Sequence, residues 1–128
     1  MSILLDTHAF LWWVTADPRL SAAAKTAIDD PSTRRCVSSV TAFEIANKFR
    51  IGKLEMAGEI IESFDAVLGD AGFEKLAVTS SHALLAGQIP SGHKDPFDRI
   101  LAAQAKLENL AMLTIDPAFD TFGVQRLW

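Results

Sequence analysis

The chain has 128 residues, enough for one compact domain and too few for two. An apolar fraction of 49% with 22% charged residues excludes a disordered chain, because that much apolar surface can fill a core. Lys and Arg number 12 against 16 Asp and Glu, a formal charge of −4; this excludes a surface that holds nucleic acid by bulk charge and leaves a local basic groove open.

Residues 3–5 form a short apolar run and read as a buried strand, and 9–14 begin a helix that Asp17-Pro18 breaks. The Ala-rich stretch 20–28 is helical, and 36–40 reads as a second strand. Residues 41–50 predict a helix with Ala42, Ile45, Ala46 and Phe49 on one face, closed by Gly52. Residues 59–68 predict one amphipathic helix ended by Gly69 and Gly72, followed by a strand over 73–78. Helix 80–86 runs into a loop marked by Gly87, Pro90 and Gly92. A strong helix over 96–107 draws on Ile100, Leu101, Ala103, Ala105 and Leu107 for its core. A strand at 111–115, a turn or two at 117–122 and a last strand at 124–127 complete the chain. Strands alternating with helices predict an α/β fold in a single domain over 1–128, with a mostly parallel sheet of about five strands and helices on both faces. A functional site in such a fold lies at the carboxyl ends of the strands.

A single cysteine, Cys36, excludes an internal disulfide and any zinc site built on Cys pairs, and points to the reduced cytoplasm. Its apolar neighbours predict a buried, inert thiol. No apolar run approaches the ~18 residues a membrane span needs. The start of the chain has no basic region and too short an apolar run for a signal peptide.

The acids fall at four telling places. Asp6 follows the first strand, Glu44 lies in the first turn of the helix after the second, Asp98 lies in the first turn of the 96–107 helix, and Asp116 follows the fourth strand. Each also has a local reading. Asp6 stands where it would cap the helix starting at Thr7; Thr41-x-x-Glu44 has the form of a capping box; Asp95-Pro96 and Asp116-Pro117 are cap-and-proline starts. Helix dipoles return about 0.3–1 kcal/mol per acid. Two carboxylates ~4 Å apart repel by about 4 kcal/mol at an effective dielectric of about 20. A cluster of this kind therefore protonates or binds a cation, and carboxylates alone suit a hard ion such as Mg²⁺ or Mn²⁺.

The ordered segments that carry these acids resemble those of PIN-domain nucleases. Leu4-Leu5-Asp6-Thr7-His8 is similar to that family's opening, and Ser38-Ser39-Val40-Thr41-Ala42-Phe43-Glu44-Ile45 to its second motif. Arg50-Ile51-Gly52-Lys53-Leu54 is similar to a segment of the VapC toxin branch. His93-Lys94-Asp95-Pro96-Phe97-Asp98-Arg99, with Ala102-Ala103-Gln104-Ala105, resembles the third motif, and Leu113-Thr114-Ile115-Asp116-Pro117-Ala118-Phe119 the fourth. The resemblance implies a three-layer α/β/α sandwich and a Mg²⁺-dependent endoribonuclease that is the toxin of a type II toxin–antitoxin pair. It implies an RNA substrate, a small cognate antitoxin that blocks the acidic site, and assembly as a homodimer or a toxin–antitoxin hetero-oligomer, with no membrane.

By position, Asp6, Glu44, Asp98 and Asp116 match the family's acidic quartet. Asp6 and Asp98 are the first metal ligands, with Glu44 and Asp116 completing the shell or orienting the attacking water, and Mn²⁺ able to substitute. Asp95 matches the motif but stands as an N-cap, and Asp120 is a weaker candidate. Thr7 and Thr114 flank ligands and could hydrogen-bond water or phosphate. Arg34, Arg35, Lys48, Arg50, Lys53, Lys94 and Arg99 are the cations available to RNA, Lys94 and Arg99 alternatively pairing with Asp95 or Asp98. A metal–water mechanism requires neither His8 nor His93, and His82 carries no functional signal. Adjacent Trp12 and Trp13 cannot face the same way on a helix, which predicts an antitoxin or dimer contact for one of them. An aspartyl-phosphate phosphatase would want a second Asp where His8 stands, and a receiver domain a Lys near Thr114-Ile115-Asp116. The remaining alternative is a non-catalytic PIN-like module that binds RNA or protein, which the four filled acidic positions disfavour.

Overall fold

A computed structural model describes residues 1–128. Five parallel strands lie in the order β3-β2-β1-β4-β5: β1 Ser2–Leu5, β2 Arg34–Ser38, β3 Glu74–Leu76, β4 Ala111–Leu113 and β5 Arg126–Leu127. The helices are α1 Thr7–Val14, α2 Ala22–Asp29, α3 Ser39–Arg50, α4 Gly58–Glu62, α5 Phe64–Ala71, α6 Ser80–Gln88 and α7 Pro96–Leu107, with 3₁₀ turns at Glu55–Ala57 and Pro117–Phe122.

The two-residue period of a strand divides the core into two layers. Ile3, Leu5, Val37 and Leu113 face Phe10, Ile28, Ile45, Ile60 and Leu68 of α1 to α5. Leu4, Cys36 and Met112 face the other way, onto Ala86 of α6, Leu101, Ala102 and Ala105 of α7, and Phe119 and Phe122. The central strands are thus apolar on both sides, as a parallel sheet covered by helices requires. The expected α/β/α sandwich with five strands is present. No helix is long and apolar enough to cross a membrane.

Several local expectations shift. The second strand starts two residues earlier, at Arg34, and α3 starts at Ser39 because Ser38 caps it, its Oγ accepting from Val40 N at 3.1 Å. The Thr41-Glu44 capping box is therefore absent; both residues lie inside the helix. The face of α3 turned inward carries Val40, Thr41 and Ile45, while Ala46 and Phe49 are exposed. On α7, Leu107 is exposed as well. The single helix expected over 59–68 is two, α4 and α5, broken at Ser63. Gly69 is helical, and Gly72 ends α5 in the left-handed conformation at φ 76°, a role suited to a residue without Cβ.

Candidate active site

The carboxyl ends of β1 and β4 set the geometry. Asp6 N donates to Leu113 O at 3.2 Å and Thr114 N to Leu127 O at 3.2 Å, so the residues just past both strands are still held by the sheet. Asp6 is buried, 7% exposed, and both its oxygens are engaged. Oδ1 accepts from Ala9 N at 2.7 Å, capping α1, and Oδ2 accepts from Thr114 Oγ1. Thr114 is also buried, and its Oγ1 accepts from Asp116 N at 3.1 Å. One hydroxyl therefore orients two acids.

Asp95, Asp98 and Asp116 arrive at the starts of a helix or 3₁₀ turn, whereas Glu44 stands in the second turn of α3. Thr7 Oγ1 donates to Glu44 Oε1 at 2.5 Å, joining α1 to α3, and Lys48 Nζ stands 3.2 Å from Glu44 Oε2 one turn on. Asp95 caps α7, accepting from Phe97 N at 2.9 Å and Asp98 N at 3.3 Å, ahead of Pro96 in the first turn. Asp98 Oδ2 accepts from His93 Nε2 at 2.8 Å. Asp116 Oδ1 accepts from Ala118 N at 2.9 Å, capping the 3₁₀ turn.

These side chains line one cavity of about 360 Å³, which Asp6, Glu44, Asp95, Asp98 and Asp116 share with Thr7, His8, Lys48 and Lys53. Asp6, Asp95 and Asp116 are caps and members of the cluster at once, so for them the two readings do not compete, while Glu44 caps no helix. Asp120 stands apart in an ion pair with Arg126 at 3.0 Å. Of the cations, Lys48 and Lys53 reach the cavity, and Arg50 donates to Asn47 Oδ1 at 2.6 Å. Arg34 pairs with Glu74, and Arg35 lies over Phe73 and donates to Ile28 O; both start β2, at the opposite end of the sheet. Lys94 is exposed and makes no carboxylate pair. Arg99 turns inward, donating to the carbonyls of Ala86, Ile89, Ser91 and His93 at 2.6–3.2 Å, and so ties down the loop that presents His93 to Asp98. The carboxylate pairs weighed for Lys94 and Arg99 do not form.

Burial dominates the electrostatics. It raises the Asp6 carboxyl above its ordinary range, against the hydrogen bonds from Thr114 and Ala9. It raises Asp98 to about 6, against the pull of His93 and with added repulsion from Asp95 and Glu44. Glu44 repels both aspartates, so the acids of three segments share one field.

The donor set suits a hard divalent ion: carboxylate oxygens from four segments, no thiolate, and five acids against two lysines. No group of three His, Cys, Asp or Glu stands in an arrangement that would hold an ion without side-chain movement. Asp6 and Asp98 are turned instead onto Thr114 and His93. Asn47, Ile51, Phe97, Ile115 and Phe119 also line the cavity and were not singled out from sequence. For Asn47 a signal existed: it lies three residues past Glu44, on the same helical face.

Acids at the carboxyl edge of a five-stranded parallel sheet, between two layers of helices, define a class. The PIN domain profile matches residues 3–124, and the chain belongs to the PIN domain family. Among known proteins it is 28% identical over 116 residues to Ribonuclease VapC22 of Mycobacterium tuberculosis (strain ATCC 25618 / H37Rv), covering 90% of this chain and 87% of that protein. Among solved structures it resembles a chain of VapBC2 from Rickettsia felis bound to a promoter DNA fragment, with TM-score 0.73, 14% identity and coverage of 99% and 98%. A chain of VapBC-1 from nontypeable Haemophilus influenzae gives TM-score 0.67 at 17% identity, covering 99% and 97%, and one of FitAcB from Neisseria gonorrhoeae 0.65 at 19%, covering 100% and 97%. These likenesses establish the shared fold.

Proposed function

We propose that this chain is a Mg²⁺-dependent endoribonuclease, the toxin of a type II toxin–antitoxin pair, held in check by a small antitoxin. The observation that carries the reading is the convergence of Asp6, Glu44, Asp98 and Asp116 on one cavity. The similarity to a ribonuclease VapC supports RNA as substrate. The fold shared with VapBC complexes supports a cognate antitoxin, and assembly as a homodimer or hetero-oligomer. We place the activity in the cytoplasm, with its RNA.

Asp6 and Asp98 would hold the ion, with Glu44 and Asp116 completing the shell or orienting water, and Mn²⁺ would serve in place of Mg²⁺. A divalent ion bound there supplies Lewis-acid stabilisation of phosphate charge and lowers the pKa of water. Thr114 aims Asp6 and the Asp116 backbone, Thr7 fixes Glu44, and the Arg99-braced loop keeps His93 against Asp98. His93 thus acts as a positioning residue for Asp98. Lys48 and Lys53 give the phosphates a cationic wall inside an acidic cavity. Water as nucleophile leaves a 5′-phosphate and a 3′-hydroxyl.

The test is cleavage of single-stranded RNA by metal-stripped protein with Mg²⁺ or Mn²⁺ restored. Asp98→Asn is expected to lose about 100-fold or more in rate, because the ligand set loses a charge. Unchanged cleavage by that variant would remove Asp98 from the reaction.

A further inference from the structure

At the mouth of the cavity stands an aromatic pair that the reaction chemistry does not use. Phe43 precedes Glu44 on α3, and Phe97 precedes Asp98 on α7. Their ring centroids are 5.6 Å apart at an interplanar angle of 47°. Phe97 lines the acidic cavity, while Phe43 is 57% exposed. The fold does not need the Phe43 ring, because α3 packs through Val40, Thr41 and Ile45. Ile51 and Ile115, 47% and 48% exposed, continue the apolar rim around the same cavity.

Resting on the ribonuclease reading, we propose that Phe43, backed by Phe97, is a stacking platform for a base beside the scissile phosphate of single-stranded RNA. The arrangement of charge favours this occupant over a protein. Lys48, which also pairs with Glu44, and Lys53 line the same cavity as Phe97 and are within reach of a bound phosphate, and the rings offer π faces at its rim. Basic side chains that meet phosphates beside aromatic rings that stack on bases are how single strands are gripped without base-pairing contacts. Phe97 lines the cavity together with Asp98, so a strand whose phosphate enters there comes within reach of its ring. The exposed Phe43 ring then exchanges water for a base, a gain open to every base because each has a π face.

The test uses the full chain carrying Asp98→Asn, so that RNA is bound and not cut. Its probe is a fluorescein-labelled mixed-sequence single-stranded RNA of roughly 12 nucleotides, intact or with one abasic ribonucleotide moved along it. Phe43→Ala is expected to weaken binding of intact RNA about tenfold, Phe43→Leu similarly, and Phe43→Trp to restore it. The abasic site is expected to weaken binding at one position about tenfold with Phe43 present, and not with Phe43→Ala. Equal affinity for intact RNA with and without the Phe43→Ala substitution, or the same abasic penalty in both chains, overturns the platform. So does a change in sedimentation with RNA affinity intact, which makes the face a protein interface. If the unsubstituted chain neither binds nor cuts single-stranded RNA, the ribonuclease reading falls with it. If it does both and Phe43 has no effect, only the platform falls.

Discussion

Asp6 and Asp98 differ from the other acids because folding makes them harder to ionise. An unfolded Asp titrates near 3.8, whereas burial moves Asp98 to about 6. A raised carboxyl contributes stability that is full below the unfolded value and lost as pH rises through the folded one. With a chelator present, the thermal midpoint should therefore decline from about pH 4 to about pH 6, and Asp98→Asn should lack the Asp98 share of that decline. Thermal melts of both proteins across this range check it, and parallel curves would contradict the burial of Asp98. Asp6, Asp98 and Asp116 were legible in the sequence because each follows a strand or lies in the first turn of a helix or 3₁₀ turn, whereas Glu44 was legible through the resemblance of its segment, since α3 starts earlier and leaves it in the second turn. Their partners were not. The Thr114–Asp6 bond spans neighbouring strands far apart in the chain, and Thr7–Glu44 joins two helices. Cys36 follows its sequence reading: it is buried, and burial raises its thiol to about 11.

Helices were legible from periodicity, but their faces and breaks less so. Ile60, Ile61, Phe64, Val67 and Leu68 keep helical spacing across Ser63, so the pattern is blind to the break there. Ser63 Oγ donates to Glu59 O at 2.9 Å, a local bond that competes with the helix. On α3 the inward face carries Thr41 rather than Ala42, because Thr41 meets Thr7 beneath the site. The loop before α7 depends on one side chain. Replacing Arg99 by Gln leaves several buried carbonyls without their charged donor and should cost about 2–3 kcal/mol. Lys should recover little of it, since an ammonium cannot reproduce the guanidinium fork. Chemical denaturation gives the magnitude, and limited proteolysis should show cleavage near His93 in the Gln variant. Full stability in Arg99→Gln would mean that the loop is held by other contacts. The tryptophans also part ways on α1. Trp13 packs edge-on to Phe73 and donates to Asp29, whereas Trp12 lies among His8, Trp128 and Arg19, and both are half-buried.

For the whole molecule, the excess of acids has a specific address. Five of the 16 acids line one cavity, while Arg34 and Arg35 are spent at the far end of the sheet and Arg99 is turned inward. Few cations remain for RNA, so binding should depend weakly on salt. A log–log slope between about −1.4 and about −2.8 corresponds to two to four phosphate contacts on a single strand. Anisotropy titrations across ionic strength measure it, and a slope steeper than about −4 would require a basic surface that this fold does not present. The sequence by itself determined the alternation of strands and helices, the two-sided core and the positions of Asp6, Asp98 and Asp116 at strand or helix ends. These follow from local period, capping and burial preference, which neighbours in the chain decide. Only the tertiary structure decided which hydroxyl orients which acid, which cations reach the cavity and which aromatic ring is left over its mouth. Those depend on strand order and loop path, which bring together residues that the chain keeps far apart.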